Sequence, residues 1–468
     1  MTAGARWAMG GYIFGALVAG CASDTPLPAV PAAPAAFDQA PVDHTATWPS
    51  ERWYREFSSD ELSAFIEAAA KNNLDLAAAR ARVAQANARA RQAGAAILPS
   101  VDAGGTANYL AGHSAAGTAH ETDWSALVSA SYEVDFWGKN RATADAAQFL
   151  ATASHAERDT LALSILAGVA DTYFEVLALR ERLAIAQSNV KTAGSLLQVI
   201  QARYDAGMAS PVELATQKAA LATAQLVIPD LEQRQVEACA ALALLLGREP
   251  EGFDVKNDSL EELREPVIGA GLPADLLRRR PDIFAAEVNL RAAHADLAAA
   301  RAALFPSISL TAAGGLQNPA LNAAVLTLSG TGPTLNLGAS VVQVIFDHGR
   351  LRAVRAEAQA KDEELLADYR TAIIAAFRDV ENAFAAIHHF DAASPFQREY
   401  LAQSEQAFEG AKLRYEAGAG DFLTLLEAQR TVYAARDQVV QNKLARLQAL
   451  VTLCKVLGGG WMQQGNET

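Results

Sequence analysis

The sequence predicts a mainly α fold made of two copies of one half, each with very long helices and a short strand-bearing part. Three observations predict it. Arg203-Tyr204-Asp205-Ala206-Gly207 returns as Arg414-Tyr415-Glu416-Ala417-Gly418, Gly138-Lys139 as Gly349-Arg350, Tyr173 as Phe384 and Leu246-Gly247 as Leu457-Gly458, each 211 positions later and without a gap. A period this long exceeds the roughly 20 to 50 residues of a solenoid unit, so each copy is a half-protein with several elements. The stretch from Gly138 to Tyr204 holds no proline, and at about 1.5 Å per residue it can form a helix close to 100 Å long. Ala126, Val128, Ala130, Tyr132, Val134 and Phe136 alternate with Ser125, Ser129, Ser131, Glu133 and Asp135, Leu127 being the one exception. That is the period of a strand with one apolar face.

In chain order, residues 1–20 carry one basic residue, Arg6, no acid, and an apolar stretch from Ala8 to Gly20. This is too short to span a bilayer and reads as a secretory signal. It ends in Leu17-Val18-Ala19-Gly20-Cys21, which resembles the bacterial lipoprotein signal and implies lipidation of Cys21. Residues 21–55 then form a lipidated N-terminus and a Pro/Ala-rich tether that cannot bury a core. The first repeat is assigned to 56–259. Its helix from Asp60 to Ile97 is stopped at Leu98-Pro99, where proline removes a backbone donor. Strands fall within 100–137 and long helices within 138–247. A linker occupies 260–272.

The second repeat, 273–460, keeps the order: a helix ended by Leu304-Phe305-Pro306, strands within 307–347, long helices within 349–457, then a tail at 461–468. From Pro99 to Gly138 is 39 residues and from Pro306 to Gly349 is 43, a difference that fits a loop. Leu366, Tyr369, Ile373, Phe377, Val380, Phe384 and Ile387 are three or four apart, the seam of a coiled coil. Gly207 and Gly418 each close one long helix just before another begins, as a tight reversal demands. Pro211 suits the first turn of the helix that follows and Asp421 the N-terminus of the other.

An alternating strand of this length suits either a half-buried soluble sheet or a membrane barrel. The periodicity by itself favours the soluble sheet. Four strands cannot close a barrel, since the smallest known type has about eight. Open strand edges are not tolerated in lipid, so insertion would require oligomerisation. Beyond the signal no apolar run reaches the roughly 18 residues of a membrane helix. A coiled-coil scaffold explains the helices equally well, but not the strands.

The formal charge is -14, about one unit more negative once Arg6 is removed, which argues against nucleic acid as a partner. Cys239 and Cys454 lie among alanine and leucine and read as buried core residues rather than a disulfide. No phosphate loop, zinc pattern or nucleophile elbow is present, so the sequence indicates no catalytic residue, no cofactor and no metal site. His388 and His389, adjacent on a helix, point about 100° apart. Asp347-His348-Gly349-Arg350 matches Phe136-Trp137-Gly138-Lys139 in the first copy and reads as a structural joint from strand to helix.

Three segments carry a family resemblance: Tyr132-Glu133-Val134-Asp135-Phe136-Trp137-Gly138-Lys139, Leu272-Pro273-Ala274-Asp275-Leu276-Leu277-Arg278-Arg279-Arg280-Pro281-Asp282-Ile283, and Phe422-Leu423-Thr424-Leu425-Leu426-Glu427-Ala428-Gln429-Arg430. With them the chain resembles the TolC-like outer-membrane efflux proteins, in the lipoprotein (NodT-type) branch that serves resistance-nodulation-division pumps. It departs from the pattern at Val344, where proline is common, and at His348, where glycine is common. The resemblance implies a mainly α protein with a membrane β-barrel part. In it a homotrimer in contact with outer-membrane lipid gives four strands per protomer to one twelve-stranded barrel and its helices to a tube crossing the periplasm. It implies a passive exit duct for small toxic compounds or drugs, driven by an inner-membrane pump through a periplasmic adaptor. The alternatives are the exit duct of a type I protein secretion system and a periplasmic scaffold lipoprotein.

The turn residues Gly207, Met208, Ala209, Ser210, Gly418, Ala419 and Gly420 are the candidate adaptor contacts. Leu423, Glu427 and Arg430, spaced by four and three, share one helix face. The family residues matching Leu423 and Glu427 form a constriction. On that reading Leu423 closes the tube, Glu427 adds a negative ring and Arg430 pairs to hold it shut. The plain alternative is a weak surface pair between Glu427 and Arg430.

Overall fold

The computed structural model describes residues 33–34, 36–39, 48–114, 117–269, 271–318 and 332–461. Cys21 and the signal lie outside them. Among the described residues, 85–152 and 287–370 form one compact unit, and 33–84, 153–286 and 371–461 form the other. Each unit therefore draws on both repeats.

The first unit holds one antiparallel sheet in the order β1 (Ser100–Ser114), β2 (Gly117–Val134), β3 (Ser307–Asn318) and β4 (Gly332–Val342). Its register sorts the side chains by polarity. Val101, Ala103 and Ala107 share a face with Ala130, Val128 and Trp124 of β2, which continues through Ile308, Leu310 and Leu316 into Leu335, Leu337 and Val341. The opposite face carries Ser100, Asp102, Thr106 and Asn108, then Ser131, Ser129, Ser125 and Asp123, then Ser309 and Thr311, then Asn336 and Ser340. Hydrogen bonds cross it from strand to strand, Ser100 to Ser131 at 2.9 Å, Thr106 to Ser125 at 2.8 Å and Asn108 Nδ2 to Asp123 Oδ2 at 3.2 Å. The apolar face is uncovered: Val101, Leu335, Leu337 and Val341 are each two-thirds exposed or more. This corrects the soluble-sheet preference drawn from periodicity, because a soluble sheet must bury its apolar face and this one does not.

Below the sheet, both repeats meet in one joint. The Trp137 indole donates to the Pro306 carbonyl at 2.7 Å and stacks on Phe305 at 4.8 Å. Each long helix then starts on an aspartate. Asp135 accepts the backbone N–H of Asn140 and Arg141, and Asp347 that of Gly349 and Leu351. In the 211-residue register Asp347 matches Phe136 rather than Asp135, so the capping carboxylate is displaced by one position between the copies. His348, where the family favours glycine, has φ +57°, the left-handed region in which glycine is unstrained.

The helices reproduce the duplication in length. α3 (Lys139–Asp205) and α7 (Arg350–Glu416) have 67 residues each, α4 (Pro211–Leu245) and α8 (Phe422–Val456) have 35 each. Before each strand pair lie shorter helices, α1 (Asp60–Asn72) and α2 (Leu74–Ala95), then α5 (Pro273–Arg279) and α6 (Pro281–Ala302). The single helix expected from Asp60 to Ile97 is broken at Asn73. Its Oδ1 accepts from Leu76 N and its Nδ2 donates to Leu245 O, so it caps α2 while tying it to α4.

In the second unit the core gathers Trp53, Phe57, Leu62, Ile66, Tyr173, Phe174 and Leu177, all essentially inaccessible. Each such side chain contributes about 1.5–3 kcal/mol by burial. One 18-residue window of α3 has mean hydropathy 1.5 and few charges. Half of that window is buried, and α3 spends Val169, Phe174 and Leu177 on the core. Cys454 is buried as expected, whereas Cys239 is only half-buried, and both are free thiols.

Candidate functional site

Both long hairpins turn by the same chemistry. After α3, Gly207 takes φ +73°, its N–H donates to Tyr204 O and the Met208 N–H reaches Arg203 O at 2.7 Å. After α7, Gly418 takes φ +74°, donates to Tyr415 O, and the Ala419 N–H reaches Arg414 O at 2.9 Å. These paired bonds close a helix end, and the positive φ is why glycine stands at both positions. The next helix is capped at once. Ser210 Oγ accepts from Glu213 N while the Glu213 carboxylate accepts from Ser210 N, with Pro211 at the first helical position. Asp421 accepts the Thr424 backbone N–H at 2.9 Å and the Thr424 hydroxyl at 2.7 Å, which holds its carboxyl below the usual range.

The two turns are held side by side. Leu196, Ile200, Leu214, Phe408, Tyr415, Phe422, Leu425, Leu426 and Val432 form one buried cluster that takes residues from α3, α4, α7 and α8. The Arg203 guanidinium stacks over the Tyr415 ring at 4.6 Å and hydrogen-bonds the Tyr415 carbonyl. Sequence reading used Arg203 and Tyr415 only as markers of the repeat. The signal for a clasp is not in the motif, since its first-copy counterpart Tyr204 is 38% exposed and Tyr415 is 2% exposed.

Around the clasp, the candidate adaptor contacts Gly207, Met208, Ser210, Gly418 and Ala419 are exposed, and Ala209 and Gly420 are half-buried. Leu423 is 72% exposed on the first turn of α8, and its repeat counterpart Val212 is exposed to the same 72%. Glu427 and Arg430 are exposed on the same face, one and two turns further on. They form no ion pair with each other: none of the described salt bridges involves either side chain. Among the described residues, a pairing role for Arg430 thus has no acidic partner within one chain. What the arrangement offers is a solvated row, apolar then charged, on helices whose opposite face is fixed in a core.

A sheet with an uncovered apolar face and a hydrogen-bonded polar face, joined to duplicated long hairpins, is matched among known proteins. The profile of the outer membrane efflux protein family matches residues 65–248 and 272–459. The chain belongs to that family. As an outer membrane efflux protein it is 43% identical to the pyoverdine export outer membrane protein OpmQ of Pseudomonas aeruginosa over 419 residues, 88% of this chain and 87% of the relative. It is 30% identical to the toluene efflux pump outer membrane protein TtgC of Pseudomonas putida over 427 residues, 89% of this chain and 87% of that one. The outer-membrane channel OprN superposes with TM-score 0.85 at 27% identity, covering 93% of this chain and 99% of its own. The open state of the Neisseria gonorrhoeae MtrE outer membrane channel does so with TM-score 0.80 at 28% identity, covering 93% and 98%. The efflux protein is thus an outer-membrane channel with the mainly α fold and membrane β-barrel part of these neighbours.

Proposed function

We propose that this efflux protein is the passive exit duct of a tripartite export pump for small molecules, working as a homotrimer. The observation that carries the reading is the sheet: four strands, apolar outward and polar inward, with the outer edges of β1 and β4 unpaired among the described residues. Lipid tolerates neither open edges nor so few strands in a closed barrel. Three copies joined β4 to β1 supply twelve strands and leave no edge. Energy comes from an inner-membrane pump, and the periplasmic adaptor meets the turns at Gly207–Ser210 and Gly418–Gly420. Leu423 and Glu427 narrow the duct at rest, with Arg430 of one copy pairing across to another. Lipid on Cys21 adds an anchor beside the barrel. Intact mass of the mature N-terminus decides that point, since an unmodified Cys21 removes the anchor.

The cargo we assign first is pyoverdine, because the relatives named for its export are 43% and 41% identical to this chain, against 30% for TtgC. The test is expression in Pseudomonas aeruginosa lacking OpmQ. Restored extracellular pyoverdine supports the assignment. Restored resistance to unrelated toxic compounds without pyoverdine export makes the protein a drug duct instead. If neither returns although the trimer reaches the outer membrane, the export reading fails.

A further inference from the structure

A groove of about 390 Å³ lies among α3, α4 and α8 within the helical unit. Its α4 side presents Ala220, Ala224, Val227 and Leu231, interrupted by Thr216 and by Thr223, whose hydroxyl already donates to the Ala219 carbonyl. Facing it, Gln429 and Asn189 line the groove, and they are only 2% and 8% exposed. Gln429 Oε1 and Asn189 Oδ1 are both buried without a hydrogen-bond partner among the described residues.

The orientation of Gln429 follows from its neighbour. Tyr433 has one hydroxyl proton and gives it to the Asn189 backbone carbonyl at 2.7 Å, so it must accept from Gln429 Nε2 at 3.0 Å. The Gln429 oxygen is therefore the atom left over. Leaving a buried acceptor unpaired is unfavourable, and two of them beside one groove ask for a donor. At the end of the groove Asp437 is already neutralised by Arg182, whose Nε lies 2.6 Å away. Arg430 also lines the groove but is exposed to solvent, so the buried part of the groove requires no added charge.

We propose that this groove is a binding site for an uncharged amphipathic molecule. Its amide- or hydroxyl-type head donates to Gln429 Oε1 and Asn189 Oδ1, and its apolar body lies against Ala220, Ala224, Val227 and Leu231. The volume falls within the usual range of small-ligand pockets, about 300–1,000 Å³. A site built around unpaired acceptors discriminates by hydrogen-bond donation, because a ligand that cannot donate leaves both oxygens desolvated and unpaired.

The test compares two molecules of equal heavy-atom count, 4-butylbenzamide and methyl 4-propylbenzoate, titrated calorimetrically into the full-length protein in lipid nanodiscs. The amide is expected to bind saturably and about tenfold tighter than the ester, which accepts but cannot donate. Gln429→Leu is expected to remove most of that preference, and Ala224→Trp, which fills the groove, to abolish binding while the assembly keeps its size. Equal affinity for amide and ester in the unmodified protein overturns the proposal by itself, with no variant needed. So does amide binding that survives both substitutions, or no amide binding up to its solubility, the result expected if water alone occupies the groove.

Discussion

Asp171 shows how much one buried carboxyl can decide. It sits on α3 with Oδ1 buried and unpartnered, and burial pushes its pKa up from 3.8 to about 7, with Glu175 adding to the rise and Lys455 opposing it. The folded protein thus holds a proton there that the unfolded chain has released. Stability from this group is full below about pH 3.8 and is lost as pH rises through about 7. Asp171→Asn stays neutral throughout and is expected to be more stable than the parent at pH 8, by about 2–4 kcal/mol, with the difference vanishing toward pH 4. Thermal melting of the assembled protein across that range measures it. Leu423 and Glu427 act in the other direction, since both are exposed and neither supports the core. Leu423→Ala with Glu427→Ala is expected to raise single-channel conductance in planar bilayers while stability moves by less than about 0.5 kcal/mol. Unchanged conductance in a correctly assembled double variant places the constriction elsewhere.

The hairpin turns are where single elements are most sensitive to substitution. Gly207→Val puts a β-branched residue at φ +73°, at a cost of about 1–2 kcal/mol. Ser210→Ala removes one half of the capping box, at about 1 kcal/mol. Both losses are local, so faster amide hydrogen exchange around residues 200–215 is the expected readout, with the sheet unaffected. Ala209→Trp and Ala419→Trp add bulk at the two turns without touching either cap. If these turns meet the adaptor, both variants lose adaptor crosslinking while the trimer stays intact. Crosslinking that survives both moves the docking surface off the turns.

At the scale of the whole molecule, the sheet register makes a prediction from neighbouring positions. Leu337 and Asn336 are adjacent on β4 but face opposite sides, with Leu337 paired to Ala312 and Asn336 to Ala313. Leu337→Arg places a charge toward lipid and is expected to cost up to about 2–4 kcal/mol, depending on depth. Asn336→Arg places the same charge on the polar face and is expected to insert normally. Equal yields of folded trimer in the outer membrane for both variants would contradict the assignment of faces.

The sequence by itself determined the duplication, from residues that return 211 positions later, and the turn glycines and the helix start at Asp421, which depend on residues a few positions apart. Family membership was legible for a similar reason, in contiguous segments such as Tyr132 to Lys139. Only the tertiary structure decided which way the sheet faces. Alternation at Ala126 to Phe136 says that one side is apolar, not what covers it, and the answer needed four strands in register with nothing laid over Leu335 and Leu337. It also decided where the copies diverge. Tyr204 and Tyr415 occupy the same place in the repeat, yet one is exposed and the other is clasped by Arg203. Gln429, Asn189 and Asp171 gave no sequence signal, since a polar residue on a helix looks alike whether water or a neighbouring helix completes its surroundings. Local pattern is written in spacing, but burial is a property of what packs from elsewhere in the chain, and no spacing records it.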